Sequence, residues 1–429
     1  MLTLTFRRLF LAQLVALTGT GLATVALGLL AWNLAGDRAG AVLGTALAIK
    51  MVAYVGLAPL ASALADRLPR RGFLVGLDLI RAGAVALMPF VTTEGQIYAL
   101  IFVLQAAQAG FTPAFQSTLP DVLPDPRAYT RGLSLMRLAE DLEQIASPLL
   151  AAALLTFVSF PLLFAGTVLG FLASAALVLG TALPPRRVEP ERFFHSLTKG
   201  LAIYARTPRL RGLLALEGAV AAAGAMVYVN TVVLVQAGLH LPEGFVALAF
   251  AAFGAGSMAA ALALPRVLET RGDRGPMLAG AGLMLGALAL LPLAPGFAGL
   301  AGLWALIGAG FAATQIPIGR IVTRSCRDED RGAVFAAQFA LSHACWLVAY
   351  PLAGWLGPGG ALALAGLGAL AWGAGLALWP AHDPARLAHA HPDLAPDHPH
   401  LVAHDHDYVI DPLHRHWPSA PHAAGPRQG

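Results

Sequence analysis

Long apolar stretches separated by short polar segments follow one another along most of the chain. A transmembrane helix needs about 20 predominantly apolar residues to cross roughly 30 Å of hydrocarbon, and twelve stretches of the sequence are long enough. We predict a membrane-spanning helix in each: Leu9–Leu34, Ala41–Leu64, Phe73–Val91, Ile97–Leu119, Gly132–Val158, Pro161–Leu183, Gly212–Gln236, Gly244–Leu264, Pro276–Ala294, Phe297–Ile321, Gly332–Leu356 and Gly360–Trp379.

These stretches are typical of helices and not of barrel strands. Backbone polar groups in lipid must be satisfied within a helix or a closed barrel, and the stretches lack the period-two alternation of barrel strands. They are rich in Gly and Ala, which allow neighbouring helices to approach closely. The expected fold class is therefore an all-α membrane protein with twelve transmembrane helices.

Composition excludes a water-soluble protein. Hydrophobic residues make up 57% of the 429 residues and charged residues only 12%, whereas soluble domains carry about 25% charged residues. The two cysteines, Cys326 and Cys345, lie in or near predicted spans, so no disulfide framework is expected. Arg7 and Arg8 precede the first apolar stretch as in a signal peptide, but that stretch is too long, and we interpret it as the first span.

The basic residues predict the orientation of the helices. The net charge of +4 could suggest a nucleic-acid partner, but the basic residues lie in short loops on one side of the membrane, which excludes that reading. With both termini in the cytoplasm, the outer loops contain Arg38 alone, in agreement with the positive-inside rule. The inner loops contain Arg67, Arg70, Arg71, Arg127, Arg131, Arg186, Arg187, Arg192, Lys199, Arg206, Arg209, Arg211, Arg266, Arg271, Arg274, Arg324, Arg327 and Arg331.

The longest internal polar stretch divides the predicted spans into two sets of six. Two such halves are typical of secondary transporters built from internal repeats, with a substrate site between them. We therefore divide the chain into an N-terminal six-helix half (1–183), a cytoplasmic linker (184–211), a C-terminal six-helix half (212–380) and a His-rich, mostly disordered cytoplasmic tail (381–429). We expect a monomer in the lipid bilayer.

Three segments resemble a known family. The loop Pro59-Leu-Ala-Ser-Ala-Leu-Ala-Asp-Arg-Leu-Pro-Arg-Arg71 resembles the signature loop of the major facilitator superfamily, and Pro265–Arg274 is a weaker echo of it. Lys199–Arg211 is similar to the linker of the bacterial efflux branch of that superfamily. The resemblance implies a multi-pass transporter of the bacterial inner membrane. Ser62 and Pro69 stand where the family usually places Gly.

The same resemblance implies a conformational latch at the cytoplasmic face. Its residues would be Asp66, Arg67, Arg70 and Arg71, since Asp66 can accept hydrogen bonds from a helix N-terminus or pair with arginine. The alternative is that Asp66 and Arg67 only determine topology.

Charged residues within a span cost at least about 2.5–3.5 kcal/mol each at its centre and are therefore candidate functional groups. The fifth span contains Arg137, Glu140, Asp141 and Glu143 at helical spacing. Three carboxylates against one arginine would suit cation or proton handling. Alternatively, Arg137 only neutralises Glu140 or Asp141 in a structural pair.

Other spans carry isolated polar candidates. Lys50 and His343 are candidate coupling residues, although a histidine hydrogen-bonded to a neighbouring helix would be purely structural. Asp78 and Arg81 are three residues apart and can neutralise each other. Glu217, near the start of the seventh span, could extend to the membrane interface.

The tail contains ten of the thirteen histidines. Eight of them form His-x-His pairs, and residues two apart in an extended chain project to the same side, so each pair can present two imidazoles to a metal ion. The alternative is a low-complexity tail whose histidines only keep it soluble. The candidate metal ligands are His389, His391, His398, His400, His404, His406, His414 and His416.

These observations lead to three hypotheses. The first is a transporter that exports nickel or cobalt in exchange for protons, because the His-rich tail of this chain is similar to the tails of bacterial nickel and cobalt resistance permeases. The second exports an organic compound, such as a drug, siderophore or metal chelate, through a cavity lined by Trp32, Phe115, Tyr228, Trp346 and Tyr350. The third, a membrane metal sensor or membrane-embedded enzyme, has little support because the sequence contains neither a convincing nucleophile triad nor H-E-x-x-H. No phosphate-binding G-x-x-x-x-G-K-[ST] motif is present, so an ion gradient is the expected energy source for transport. We expect no enzyme activity and no resident cofactor.

Overall fold

The computed structural model describes residues 3–65, 68–116, 118–183, 193–294, 296–327 and 330–381, together with 383, 386–388, 405–411, 414 and 417. These residues form fifteen α-helices: α1 Leu4–Ala35, α2 Ala39–Ala65, α3 Arg70–Leu87, α4 Glu94–Gln116, α5 Leu119–Val122, α6 Pro126–Leu154, α7 Pro161–Leu179, α8 Phe193–Arg206, α9 Pro208–Val233, α10 Gly244–Arg271, α11 Arg274–Ala289, α12 Gly296–Gln315, α13 Ile318–Thr323, α14 Arg331–Leu356 and α15 Ala361–Leu378. Two short strands, β1 Arg386–Ala388 and β2 Asp405–Asp407, follow them.

Twelve of these helices coincide with the twelve predicted spans, which confirms the all-α membrane fold. Eight stretches of the described residues are long and apolar enough to cross a membrane, and the first of them, Leu4–Tyr54, contains α1 and part of α2. Helix α11 is not among these stretches because it has only 16 residues, and α6 carries several charged residues. Helices α5, α8 and α13 are connecting helices.

Capping residues explain where two helices begin earlier than predicted. The Thr3 hydroxyl accepts a hydrogen bond from the Phe6 backbone N–H at 3.1 Å, so α1 begins at Leu4 and not at Leu9. The Asp125 carboxylate accepts from the Ala128 N–H at 2.9 Å, so α6 begins at Pro126 and not at Gly132. Both side chains satisfy N–H groups that have no partner within the first helical turn.

The same pattern of helix packing recurs in the two halves. In the first half α1 packs against α6 and α7, α2 and α3 pack against α4, and α3 packs against α7. In the second half α9 packs against α14 and α15, α10 and α11 pack against α12, and α11 packs against α15. The halves meet through two contacts, α2 against α14 and α6 against α10. These contacts are equivalent, since α2 of the first repeat corresponds to α10 of the second, and α6 to α14. This repetition is what two internal repeats would produce.

Small residues bring the helices into close contact, as their frequency predicts. A Cβ atom added at Gly170 of α7 would lie 2.9 Å from the Val15 carbonyl oxygen of α1. At Gly44 of α2, an added Cβ would lie 2.5 Å from the Tyr350 carbonyl oxygen of α14. Only a residue without a side chain allows backbones to approach this closely.

The described part of the tail packs against the linker. Strands β1 and β2 pair antiparallel, with Leu387 opposite His406. Tyr408 and Ile410, which follow β2, are buried and belong to the core that contains Ile203 and Tyr204 of α8. Arg327 forms an ion pair with Asp411, and the Arg209 guanidinium lies 4.9 Å from the centre of the Trp417 ring. We call the end of the bundle that carries α8 and these contacts the linker end.

Candidate functional site

A cavity of about 300 Å³ lies between the two halves, and we call it the central cavity. Helices α1, α2, α3, α4 and α7 of the first half and α9, α12 and α14 of the second contribute to its wall, so both repeats surround it. The lining residues are Thr20, Ala23, Thr24, Leu27, Leu43, Leu47, Lys50, Val85, Met88, Ile101, Leu104, Gln105, Phe164, Tyr228, Phe311, Trp346 and Tyr350.

Aromatic side chains dominate one wall of the central cavity. The Tyr228 and Trp346 rings meet edge to face with centroids 6.0 Å apart, and the Trp346 and Tyr350 rings lie 5.0 Å apart. Edge-to-face and offset contacts of this kind hold rings in place. Five aromatic residues were expected at such a cavity, and three of them, Tyr228, Trp346 and Tyr350, line it. Trp32 packs against the core instead, and Phe115 is buried in a separate cluster with Phe111.

Lys50 is the one charged residue among the described residues of this lining. Its Nζ atom lies 5.9 Å from the centre of the Tyr54 ring. The remaining polar atoms of the wall come from hydroxyl, amide and indole groups, which include Thr20, Thr24 and Gln105. The cavity can therefore hold an apolar body and contact a polar or anionic group at Lys50.

A second cavity of about 120 Å³ adjoins the first, and we call it the side cavity. Glu143 of α6 lines it, and Thr24 and Tyr228 line both cavities. Among the described side chains of the fifth span, Glu143 is therefore the acidic one that lies near the central cavity. Arg137, Glu140 and Asp141 lie on the same helix, but their side chains fall outside the described part of the chain.

The Nδ1 atom of His343 is hydrogen-bonded within its own helix. Its Nδ1–H donates to the Phe339 carbonyl at 2.7 Å, and its ring stacks on the Phe339 ring with centroids 3.8 Å apart. The Tyr54 ring of α2 lies 5.9 Å from it. His343 thus contributes to the contact between α2 and α14 and is not among the residues that line the central cavity.

Asp78 and Arg81 form the buried ion pair that their spacing predicts. The Ser174 hydroxyl donates to Asp78 at 2.8 Å, and Arg81 donates to Gln108. The Arg81 guanidinium also lies 4.0 Å from the centre of the Phe111 ring. These contacts join α3, α4 and α7, and they use the charges in packing within the first half.

The expected latch is only partly described. Asp66 and Arg67 lie outside the described residues, and Arg71 is exposed at the start of α3. The Arg70 guanidinium lies 2.8 Å from the Asp121 carboxylate of α5. Sequence reasoning did not select Asp121, because the pairing joins residues 51 positions apart and no local spacing indicates it.

The position of Glu217 differs from the one predicted from the sequence. It does not extend to the membrane interface, since only 1% of its surface is exposed. Its carboxylate accepts hydrogen bonds from the Gln315 amide at 3.2 Å and from the Gln338 amide at 3.3 Å. The expectation failed because α9 begins four residues before the predicted boundary, at Pro208, so Glu217 lies deeper in the bundle.

Most of the candidate metal ligands fall outside the described residues: His389, His391, His398, His400, His404 and His416, as well as the side chain of His406. His414 is buried, and its Nδ1 lies 3.0 Å from the Asp411 carboxylate. Burial and the nearby Asp411 carboxylate raise the pKa of the neighbouring Tyr408 hydroxyl. No group of three His, Cys, Asp or Glu side chains that could hold a metal ion occurs among the described residues.

Solved structures of known transporters share this architecture. The nucleoside transporter NupG aligns with a TM-score of 0.70 and 15% identity over 88% of this chain and 99% of its own. A bacterial homologue of the human lysosomal transporter Spinster aligns with a TM-score of 0.65 and 14% identity over 87% and 93% of the two chains. At these identities the likeness concerns the fold alone. No curated protein sequence matches the chain significantly.

The family model of the Major Facilitator Superfamily matches residues 9–350, which extend from the start of α1 into α14. The match includes the central cavity and the reciprocal contacts between the halves. The structural neighbours are transporters of the same architecture. The chain therefore belongs to the Major Facilitator Superfamily and is a multi-pass membrane transporter, not an enzyme.

Proposed function

We propose that this protein exports an amphipathic organic solute in exchange for protons, by alternating access of the central cavity. The observation that carries the proposal is the lining of that cavity, where aromatic and aliphatic side chains from both halves surround a single lysine among the described residues. The sequence alone favoured a metal ion as the substrate, whereas the lining of the cavity favours an organic solute.

The size and chemistry of the cavity favour an organic solute. Pockets for small organic ligands have volumes of about 300–1,000 Å³ and mostly apolar linings with a few polar groups. A divalent metal ion instead needs several oxygen, nitrogen or sulfur ligands within bonding distance. Lys50 attracts an acidic or strongly hydrogen-bonding group of the solute, and Tyr228 and Trp346 pack against its apolar part.

Carboxylates near the cavity are the candidates for proton exchange. Glu143 lines the side cavity and shares Tyr228 and Thr24 with the central cavity. A proton bound to Glu143 would change the electrostatic potential at a solute that contacts Lys50. Proton binding and solute binding would thereby be linked. Glu140 and Asp141 precede Glu143 on the same helix and remain candidates with Arg137.

The sequence supports the proposed direction of transport and the proposed location. The linker segment similar to the efflux branch supports export, and the arginines in the predicted inner loops support a bacterial inner membrane location with both termini in the cytoplasm. The Arg70–Asp121 pair supports a latch at that face. A monomer suffices, because one chain encloses the cavity.

Transport of matched solutes tests the proposal. In proteoliposomes with an imposed pH gradient, we expect accumulation of an aromatic carboxylate to exceed that of the equivalent aromatic amine. Lys50→Ala should weaken transport of the carboxylate about tenfold, Lys50→Arg should retain it, and Arg266→Ala, at an exposed position of α10, should leave it unchanged. Movement of neither solute by the wild-type protein would contradict the proposal.

A divalent metal ion, nickel or cobalt, is the second candidate substrate. The observation that favours it is the set of four His-x-His pairs in the tail, which would collect the ion for export. Replacement of the histidines at positions 389–406 by Asn should then lower nickel and cobalt tolerance of a sensitive host and spare membrane insertion. His414 is left in place because it contacts Asp411. Unchanged tolerance would remove this role.

A further inference from the structure

Glu217 is a buried carboxyl that the proposed transport cycle has not used. It lies on α9 with 1% of its surface exposed. Among the described residues, no lysine, arginine or histidine forms an ion pair with it. Its three hydrogen bonds come from side-chain amides, two from Gln315 on α12 and one from Gln338 on α14. A carboxylate in this position is compensated by dipoles alone.

We propose that Glu217 is a proton-binding site of the C-terminal half and that its protonation state is transmitted through Gln338 to Tyr204 on the linker helix α8. The inference deepens the proposed exchange for protons and rests on it for its role in transport. The site itself can be tested without any transported solute.

Two opposing effects make both protonation states accessible. Burial favours the neutral carboxylic acid, whereas hydrogen bonds donated by the amides favour the carboxylate. A nearby arginine would keep the carboxylate permanently charged, and the described surroundings provide none. The balance between burial and amide donors is therefore suited to a group that gains and loses a proton.

The ionisable groups around Glu217 leave this balance intact. Glu217 interacts electrostatically with Tyr204 of α8 and with Cys345 of α14. Neither of these side chains carries a positive charge. Burial raises the pKa of the Tyr204 hydroxyl, so it remains a neutral hydrogen-bond donor. Helix α15 carries no ionisable residue, and Lys50 of α2 faces the central cavity.

Four basic residues at the linker end pair with groups other than Glu217. Arg209 of α9 and Arg324 approach Asp383 at 3.6 Å and 2.5 Å, and Arg320 approaches Asp273 at 3.3 Å. Arg274 of α11 donates to backbone carbonyls at the end of α15.

The direction of the hydrogen bonds links Glu217 to α8. The Tyr204 hydroxyl donates to Oε1 of Gln338, which leaves the Nε2 group of Gln338 to donate to Glu217. A protonated Glu217 has a proton to donate and needs an acceptor. If the Gln338 amide rotates to accept it, its Nε2 group faces Tyr204, whose hydroxyl must then accept. In that arrangement, protonation of Glu217 reverses the hydrogen bond between Gln338 and Tyr204 on the linker helix.

Glu217 lies apart from the central cavity, so its protonation and the binding of the solute occur at different sites. Gln315 lies one turn after Phe311, and Gln338 lies about two turns before Trp346, where Phe311 and Trp346 line the central cavity. The backbone of α8 packs closely on α14, because an added Cβ at Gly200 would collide with Ala333. The proton and the solute thus act on the same helices from different sites.

Infrared difference spectroscopy of the full-length protein in lipid tests the site. A pH titration of the wild type should show a buried carboxylic C=O stretch that appears on acidification, together with a shift of a tyrosine ring band. Glu217→Gln should remove one component of the carboxylic band, leave any component from the carboxyls of α6, and abolish the tyrosine shift. Glu217→Asp should keep a carboxylic band of wild-type intensity. Tyr204→Phe should abolish only the tyrosine shift. Glu269→Gln, at an exposed position of α10, is the control and should change neither.

Two outcomes would overturn the inference. One is a carboxylic band in Glu217→Gln that keeps the full wild-type intensity, and the other is a tyrosine shift that survives in Tyr204→Phe. Transport measurements separate this from the proposed function: a pH gradient that drives no transport by the wild type contradicts proton exchange even if Glu217 titrates. Gradient-driven transport that Glu217→Gln retains in full contradicts the role of Glu217 alone.

Discussion

Asp78 and Arg81 bring opposite charges into the interior of the first half, and their surroundings satisfy both. Ser174 and Arg81 donate to Asp78, and Arg81 packs on Phe111 and Phe171, with its guanidinium 4.0 Å and 4.5 Å from the ring centres. Removal of one member of a buried pair leaves the other charge uncompensated. The packing of the three helices α3, α4 and α7 therefore depends on both members of the pair being present.

Asp78→Asn should destabilise the protein by about 3–5 kcal/mol, because it leaves Arg81 buried without its counter-charge. The measurement is the thermal unfolding temperature in detergent or lipid. Asp37→Asn is the control, since Asp37 is exposed in the loop between α1 and α2. An unfolding temperature of Asp78→Asn equal to that of the wild type would show that the pair does not contribute to stability.

Helix α2 contacts the second half along a surface made by small residues. Gly40 and Gly44 face Gly354 and the Tyr350 carbonyl of α14, and the Asn230 amide of α9 donates to the Ala353 carbonyl at 2.8 Å. These contacts lie at the end of α14 opposite to the linker end, roughly 30 Å away along the helix axis. They bring the two halves together on that side of the central cavity.

Gly44→Ala should reduce transport, since the added methyl group would lie 2.5 Å from the Tyr350 carbonyl oxygen and would force α2 and α14 apart. Gly56→Ala on the same helix is the matched control, because nothing lies within 4 Å of an added Cβ there. Solute uptake by proteoliposomes measures the effect. Equal uptake by the two variants would mean that the close approach is not needed for transport.

The tail and the linker helix form one structural unit at the linker end of the molecule. Tyr408 and Ile410 are buried in the core that includes Ile203 and Tyr204 of α8. Arg327 and Arg209 hold the tail through Asp411 and Trp417. The linker connects the two halves, so a docked tail restrains the segment that must adapt when the halves move.

A chain that ends after Asp383 should show faster amide hydrogen exchange in α8, because Tyr408 and Ile410 no longer cover it. Asp383 is kept because it contacts Arg209 and Arg324. A chain that lacks only residues 418–429 is the control, since the described contacts of the tail end at Trp417. Identical exchange in the two truncated chains would contradict a restraint by the tail.

Much of the whole-molecule organisation follows from the sequence by itself. Hydrocarbon imposes a length and an apolar composition on every span, so the twelve helices can be read from the pattern and the structure confirms them. The signature loop and the linker identify the family, which the family model confirms. The i, i+3 spacing of Asp78 and Arg81 likewise predicts their contact, since neighbours on one helix face are determined locally.

Tertiary structure alone decides which polar residues share a site. Glu217, Gln315, Gln338 and Tyr204 belong to four helices, and nothing in their sequence spacing relates them. The same holds for Arg70 with Asp121 and for Lys50, which only helix packing brings to a cavity lined by aromatic residues of the other half. Local sequence determines where a helix lies and which face is apolar, whereas contacts between helices depend on how all twelve pack together.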